Sequence, residues 1–300
     1  MTEMARKRRW SRFLDPISGK ALIVPIDHGL TVGPLQGIGT PEDILSWLTP
    51  GIVTGVLLHK GMAAKLGGIA GYGMMVQLNG ALSMDDEPDT KHMLTRVDAA
   101  VRLGADAVSV QTNFSSSTAS HNLRLLGAVV DDAHAFGLPV LAMVYDKVAP
   151  GAGQPSASLR HFMRAAVEMG VDAMKIATPA NLEQLPELVY GIEPHTSVLF
   201  AGGPLMDEEQ LVALCDAIVA AGASGLCVGR NLFQRPDPRA TMRRLQSSLR
   251  QELLAAALPA YKEAQEQHGQ HAQHEPHAQQ EPQEQEGQQE QQEQQERTLA

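Results

Sequence analysis

The sequence is poor in cysteine and aromatic residues and has no long apolar run. Two cysteines, Cys215 and Cys227, are all that 300 residues contain, which excludes a disulfide framework. Both lie in apolar surroundings, as buried free thiols do. No apolar stretch approaches the ~20 residues that span a bilayer, so no membrane helix is expected. The start Met1-Thr2-Glu3-Met4 has no hydrophobic segment behind its charges; no secretory signal is read there, and a cytoplasmic location is expected. Basic charge is scarce as well, with 24 Lys and Arg against 34 Asp and Glu and a net charge of −10. Nucleic-acid binding needs a basic surface, so that partner class is not expected. The exception is Arg6-Lys7-Arg8-Arg9, read as part of a solvated N-terminal arm over residues 1–11.

The acidity is unevenly placed. From Gln265 to Ala300 the chain is almost all Gln, Glu and His with Ala, Pro and Gly, and it holds eight Glu against one Arg. Lacking apolar periodicity, it cannot offset its chain entropy, and residues 261–300 are expected to be a disordered tail. Four histidines there, His268, His271, His274 and His277, recur every third residue. Without a fold around them they are not read as a catalytic centre, and no metal is expected. Residues 12–260, close to neutral, are read as the folded domain.

What the domain does contain is an alternation. Eight short β-rich apolar runs occur at Ala21–Ile26, Ile52–Leu58, Met74–Leu78, Ala107–Gln111, Val140–Tyr145, Ala173–Ile176, Val198–Ala201 and Gly225–Val228. Segments able to form helices lie between them. Pro41–Leu48 opens on Thr40 as N-cap with Pro41 at the first position. Helical spacing continues through Pro88–Leu103, His121–Phe136, Leu159–Met169, Asn181–Tyr190, Asp207–Ala221 and Pro238–Ala257. Gly104, Gly170 and Gly222 stand where helices should end in a left-handed residue. Eight β/α units imply parallel strands with right-handed crossovers, closing into an α/β (β/α)8 TIM barrel.

In such a barrel, chemistry sits at the C-terminal ends of the strands. Lys175 is in the sixth run and, by alternation, shares a face with Ala173 and Ala177. A lysine aimed into a barrel should have its pKa lowered by desolvation. A neutral amine attacks carbonyls, and the resulting iminium is an electron sink; a charge paired with a barrel carboxylate is the other reading, and position alone leaves both open. Asp27 ends the first run and Tyr145 the fifth. Asp27 is either a proton carrier beside Lys175 or a carboxylate that orders its loop, and Tyr145 either a proton carrier or a packing residue. Gly202-Gly203 follows the seventh run and Gly229-Arg230 the eighth. Glycine lets backbone N–H groups approach an anion, a helix N-terminus adds a dipole, and arginine adds a bidentate donor. Barrels frequently hold phosphate between these two loops. His59-Lys60-Gly61, after the second run, is read as solvated and outside the site.

Five segments carry a resemblance: Val24-Pro25-Ile26-Asp27-His28-Gly29, Leu58-His59-Lys60-Gly61, Gly104-Ala105-Asp106-Ala107-Val108-Ser109-Val110, Ala201-Gly202-Gly203-Pro204 and Val228-Gly229-Arg230-Asn231-Leu232-Phe233-Gln234. Together, over roughly Arg12 to Leu249, they resemble the class I aldolases of the archaeal fructose-bisphosphate aldolase type. That group includes 2-amino-3,7-dideoxyheptulosonate synthase and the 2-amino-4,5-dihydroxy-6-oxo-7-(phosphonooxy)heptanoate synthase branch. The resemblance implies Lys175 as Schiff-base lysine, Tyr145 and Asp27 as proton carriers, and Gly202-Gly203 with Gly229-Arg230 as phosphate loops. It implies no cofactor, a homo-oligomer, and dihydroxyacetone phosphate or a related ketose phosphate as donor to a small aldehyde such as aspartate semialdehyde. Many relatives follow the tyrosine with Pro-Arg-Gly, whereas here Tyr145 leads into Asp146-Lys147-Val148, which points away from fructose bisphosphate as the substrate. Fructose-bisphosphate aldolase, a thiolase acting on a phosphorylated dione and a non-catalytic phosphosugar-binding barrel are the alternatives.

Overall fold

A computed structural model describes residues 2–68, 71–148, 157–192 and 196–250. These lie in a compact unit, Met1–Leu253; a second unit, Leu254–Ala300, is outside the described residues, as is the tail expected at 261–300. In chain order the elements are α1 (Thr2–Trp10), a 3-10 turn at Ser11–Phe13, β1 (Ala21–Pro25), α2 (His28–Val32), α3 (Pro41–Trp47), β2 (Gly55–Leu58) and α4 (Lys60–Leu66). Then come β3 (Gly73–Gln77), β4 (Asn79–Gly80), β5 (His92–Met93), α5 (Val97–Arg102), β6 (Ala107–Phe114), α6 (Ala119–Ala135), β7 (Val140–Asp146) and α7 (Ala157–Glu168). The rest are β8 (Ala173–Ile176), α8 (Leu185–Val189), β9 (Ser197–Ala201), α9 (Glu208–Ala220), β10 (Gly225–Cys227) and α10 (Arg230–Phe233), with helical residues 238–250 after them.

Eight of the strands close a parallel barrel in the order β1-β10-β9-β8-β7-β6-β3-β2. Each corresponds to one of the eight apolar runs. The runs carry no clean alternation because both faces of a barrel strand are buried, one by helices and one by the interior. The predicted links are there too: Gly104, Gly170 and Gly222 have φ of 79°, 85° and 79°. Thr40 caps α3 in a full capping box with Asp43. Val56, Val76, Val108, Ala142 and Met174 face the helices, while Ile23, Leu57, Met75, Leu141 and Leu199 fill the interior.

Two expectations are corrected. Of residues 1–11, expected as a solvated arm, the described residues 2–11 form no such arm: α1 lies against the barrel, with Arg6 Nη1 3.3 Å from Asp172 Oδ1 and Arg9 donating to the Ala105 carbonyl at 3.2 Å. Trp10 donates to Ser197 Oγ at 3.0 Å and stacks on Phe13 with centroids 5.4 Å apart. Phe13 is fully buried and closes the N-terminal end of the barrel beside Gly55 and Gly73. Lys7 and Arg8 are exposed, whereas Arg6 and Arg9 are half-buried against the barrel and Trp10 anchors the helix end.

Nor does a helix run from Pro88 to Leu103; only Val97–Arg102 is helical. The preceding backbone has other partners. Asn79 and Gly80 pair with Met93 and His92, and the N–H groups of Leu94 and Thr95 both donate to the Leu78 carbonyl. The apolar residues Met93 and Leu94 fit a helical period, but tertiary hydrogen bonds took the chain elsewhere.

Candidate active site

Alternation along each barrel strand decides what reaches the mouth. On β8 the inward positions are Ala173 and Lys175, and Lys175 is only 6% exposed. Its small neighbours Ala173 and Ala177 leave room around the amine. In register, Lys175 pairs with Met143 of β7 and Leu199 of β9. Tyr145 stands one pleat nearer the mouth than Met143, and Cys227 lies across the interior on β10.

A cavity of about 370 Å³ opens above these residues, within the range of small-molecule sites. It brings together five predicted elements: Tyr145, Lys175, Gly202-Gly203, Gly229 and Arg230. Asp27 is not in its wall. It stands behind His28, its Oδ1 3.6 Å from His28 Nδ1, and its charge acts on Lys175, Tyr145, His28 and His59.

The electrostatics correct one expectation. Burial pushes the Lys175 amine down, while Cys227 and Tyr145 as they ionise, together with Asp27, raise its pKa above the ordinary lysine value. Burial in turn raises Tyr145 and Cys227, against the pull of Lys175, so both are protonated at neutral pH. The resting site therefore holds an ammonium balanced by Asp27 and flanked by a neutral phenol and a neutral thiol.

The two glycine loops are built for close approach. Gly203 has a φ of 67°, and a Cβ on Gly202 would lie 2.7 Å from Val228 Cγ1. A Cβ on Gly229 would lie 2.7 Å from His28 Cε1 and 3.1 Å from the Pro25 carbonyl oxygen. The following helix, α10, is a single turn of four residues, too short to add much of a macrodipole. Backbone N–H groups and the exposed Arg230 are the donors that remain.

Four residues of this site were missed in the sequence. Asn231 is buried and staples the two loops: its Nδ2 donates to the Gly202 and Pro204 carbonyls at 2.9 and 2.7 Å, and its Oδ1 accepts from Met206 N at 3.0 Å. Thr178 donates to the Ala201 carbonyl and lines the cavity. His28 lines it as well, its pKa lowered by burial against the pull of Asp27. His59, read as solvated, is partly buried at the N-cap of α4, and burial lowers its pKa against the same carboxylate. Alternation could have found it, because His59 continues the inward face of Gly55 and Leu57.

Comparison with known proteins places the chain in a family and matches its fold. A DeoC/LacD family aldolase model matches residues 21–235. The 2-amino-4,5-dihydroxy-6-oxo-7-(phosphonooxy)heptanoate synthase of Streptomyces griseus is 31% identical over 241 residues, 79% of this chain and 87% of that one. The 2-amino-3,7-dideoxy-D-threo-hept-6-ulosonate synthase of Halobacterium salinarum is 34% identical over 245 residues, 80% of this chain and 89% of that one. Among solved structures, an archaeal fructose-1,6-bisphosphate aldolase with its catalytic Lys bound to the carbinolamine intermediate matches with a TM-score of 0.72 and 26% identity. That match covers 81% of this chain and 98% of the other.

Proposed function

The chain belongs to the DeoC/LacD aldolase family, and from that premise we propose that it joins dihydroxyacetone phosphate to aspartate semialdehyde through an iminium on Lys175. One observation carries the reading: a buried lysine beside a protonated tyrosine, at one end of a cavity whose other end is two glycine loops and an arginine.

The product named for the Streptomyces relative supports this pair of substrates. A heptanoate with hydroxyls at C4 and C5, a ketone at C6 and phosphate on C7 is a β-hydroxy ketone. Breaking its C4–C5 bond leaves dihydroxyacetone phosphate and the semialdehyde of a four-carbon amino acid. The Gly202-Gly203 and Gly229-Arg230 loops suit the donor phosphate, and their hold on it places the ketone beside Lys175.

The proton inventory suggests an order of events. The ammonium of Lys175 loses a proton towards Asp27 and its amine adds to the donor ketone, giving a carbinolamine. Tyr145, a protonated phenol at rest, donates to the departing hydroxyl as water leaves and the iminium forms. The phenolate then takes a proton from the hydroxymethyl carbon, and the enamine attacks the aldehyde, whose oxygen receives that proton from Tyr145 as the C–C bond closes. Water returns to the iminium and releases the product and the amine. No external oxidant or reductant is needed. We take the protein to act as a homo-oligomer, which light scattering would read.

Borohydride tests the mechanism directly. Reduction in the presence of dihydroxyacetone phosphate should add the reduced donor to Lys175, located by peptide mass. Absence of an adduct with every ketose phosphate overturns the Schiff base. Free acid formed only with a thiol present, and no aldehyde consumed, would favour the thiolase alternative.

A further inference from the structure

Alternation divides the mouth of the barrel into unlike halves. Over β8, β9 and β10 the inward residues are Ala177, Ala201, Gly203 and Gly229, and the cavity lies there. Over β3 and β6 they are Gln77, Asn79, Ser109, Gln111 and Asn113, all polar and at least partly buried. These five are linked. Ser109 donates to Gln77, whose Nε2 donates to Asn79 Oδ1 at 2.8 Å. Asn79 Oδ1 accepts from Gln111 N at 2.8 Å, Gln111 Nε2 donates to Asn113 Oδ1 at 3.0 Å, and Asn113 Nδ2 donates to Asp89.

The ladder thus climbs from one pleat below Lys175, where Ser109 is level with Ala173, to the rim. Gln111 pairs with Met143, itself the partner of Lys175, and Asn113 pairs with Tyr145. Lys147 extends the β7 ladder, its N–H on the Phe114 carbonyl at 2.7 Å, and shares the parity of Tyr145. Its Nζ lies 3.7 Å from the same Asp89 carboxylate, the two side chains being 43% and 39% exposed. So exposed an ion pair adds little stability, yet a buried amide holds one partner in place.

The donor has three carbons, with phosphate at one end and the nucleophilic carbon at the other. With phosphate at the glycine loops and the ketone at Lys175, the new bond must form on the far side of Lys175, towards Tyr145 and Asn113. We propose that Asp89 and Lys147, with Asn113 orienting Asp89, are the acceptor subsite, selecting an aldehyde that is also a zwitterionic amino acid. Asp89 takes the ammonium and Lys147 the carboxylate, the two substrate charges replacing the pair's own contact. The assignment rests on the Schiff-base reading above.

The test measures acceptor KM at saturating dihydroxyacetone phosphate for wild type, Asp89→Asn and Lys147→Met. The acceptors are aspartate semialdehyde, succinate semialdehyde, 3-aminopropanal and glyceraldehyde 3-phosphate. Charge-assisted hydrogen bonds predict rises of roughly 10- to 100-fold. Asp89→Asn should raise KM for the two amino aldehydes and spare succinate semialdehyde. Lys147→Met should raise it for the two carboxylates and spare 3-aminopropanal. Equal losses on every acceptor, unchanged KM values, or a wild-type preference for glyceraldehyde 3-phosphate overturn the subsite. Borohydride trapping of the donor keeps the two ideas apart. An adduct at wild-type level in both variants leaves only the subsite in question, whereas no adduct in wild type removes the Schiff base and the subsite with it.

Discussion

The imidazole of His28 fills the space that a methyl group on Gly229 would need: a Cβ there would stand 2.7 Å from His28 Cε1 and 3.2 Å from Nε2. A side chain from the first barrel loop is thus seated under the last one, between Asp27 and Gly229. Gly229→Ala must push the imidazole, or the loop, out of place. Donor KM should rise about tenfold with dihydroxyacetone phosphate, the worth of one displaced hydrogen bond, and stay level with unphosphorylated dihydroxyacetone. Steady-state kinetics with the two donors checks this.

Lys175→Met removes the nucleophile while keeping a long apolar stem. Turnover should fall at least about a thousandfold, because no iminium can form. Peptide mass mapping after borohydride should find no donor adduct. Activity within tenfold of wild type would refute the covalent route.

Tyr145→Phe keeps the ring and removes the proton. Its kcat should drop by about 10²- to 10⁴-fold, the usual worth of a positioned acid–base group, with donor KM little changed. Slow borohydride trapping should persist, since Lys175 is intact. Single-turnover rates separate this from a loss of donor binding.

Mild acid should destabilise the fold through its two half-buried histidines. Burial holds the folded pKa values of His28 and His59 below their unfolded value of 6.5. The unfolded chain therefore binds more protons than the folded one below that pH, and stability falls as pH drops from about 6.5 towards the folded values. Urea midpoints should be lower at pH 5.5 than at pH 7.5, and His28→Asn with His59→Asn should flatten the slope. Lys175, raised above its unfolded value of 10.5, stabilises throughout this window and loses its contribution only in strong alkali.

Phe13→Ala should cost about 3–5 kcal/mol, the range for emptying a buried aromatic site. In that background Gly73→Ala should regain part of the loss. Its Cβ would meet the Phe13 ring at 2.7–2.8 Å in the wild type and would find a void once the ring is gone. Chemical denaturation of the single and double variants reads both effects.

The barrel was legible because eight apolar runs and three glycine-ended helices recur in one pattern, and because burial on both strand faces leaves no other use for such runs. Strand starts were less so: the second begins at Gly55, not Ile52, since Pro50 and Val53 form an isolated bridge and Thr54 Oγ1 accepts from Leu22 N at 2.8 Å. Lys175 and Tyr145 were found because polar residues in apolar strands stand out. His59 was passed over because it lies one residue beyond its strand, although the alternation of Gly55 and Leu57 carries on to it. Asn231 was invisible for another reason: its hydrogen bonds reach back 25 to 29 residues to the preceding loop, and no local pattern reports that.

Phe13, stacked on Trp10 and wholly buried, stops the barrel at its lower end, so whatever reaches Lys175 arrives and departs through the mouth. Two reactants that share one doorway must take turns. With the proposed donor seated deeper, it would enter before the acceptor, and the joined product would leave before the next donor. The proposal therefore predicts an order of addition set by the architecture, with excess acceptor slowing the reaction by keeping the donor outside.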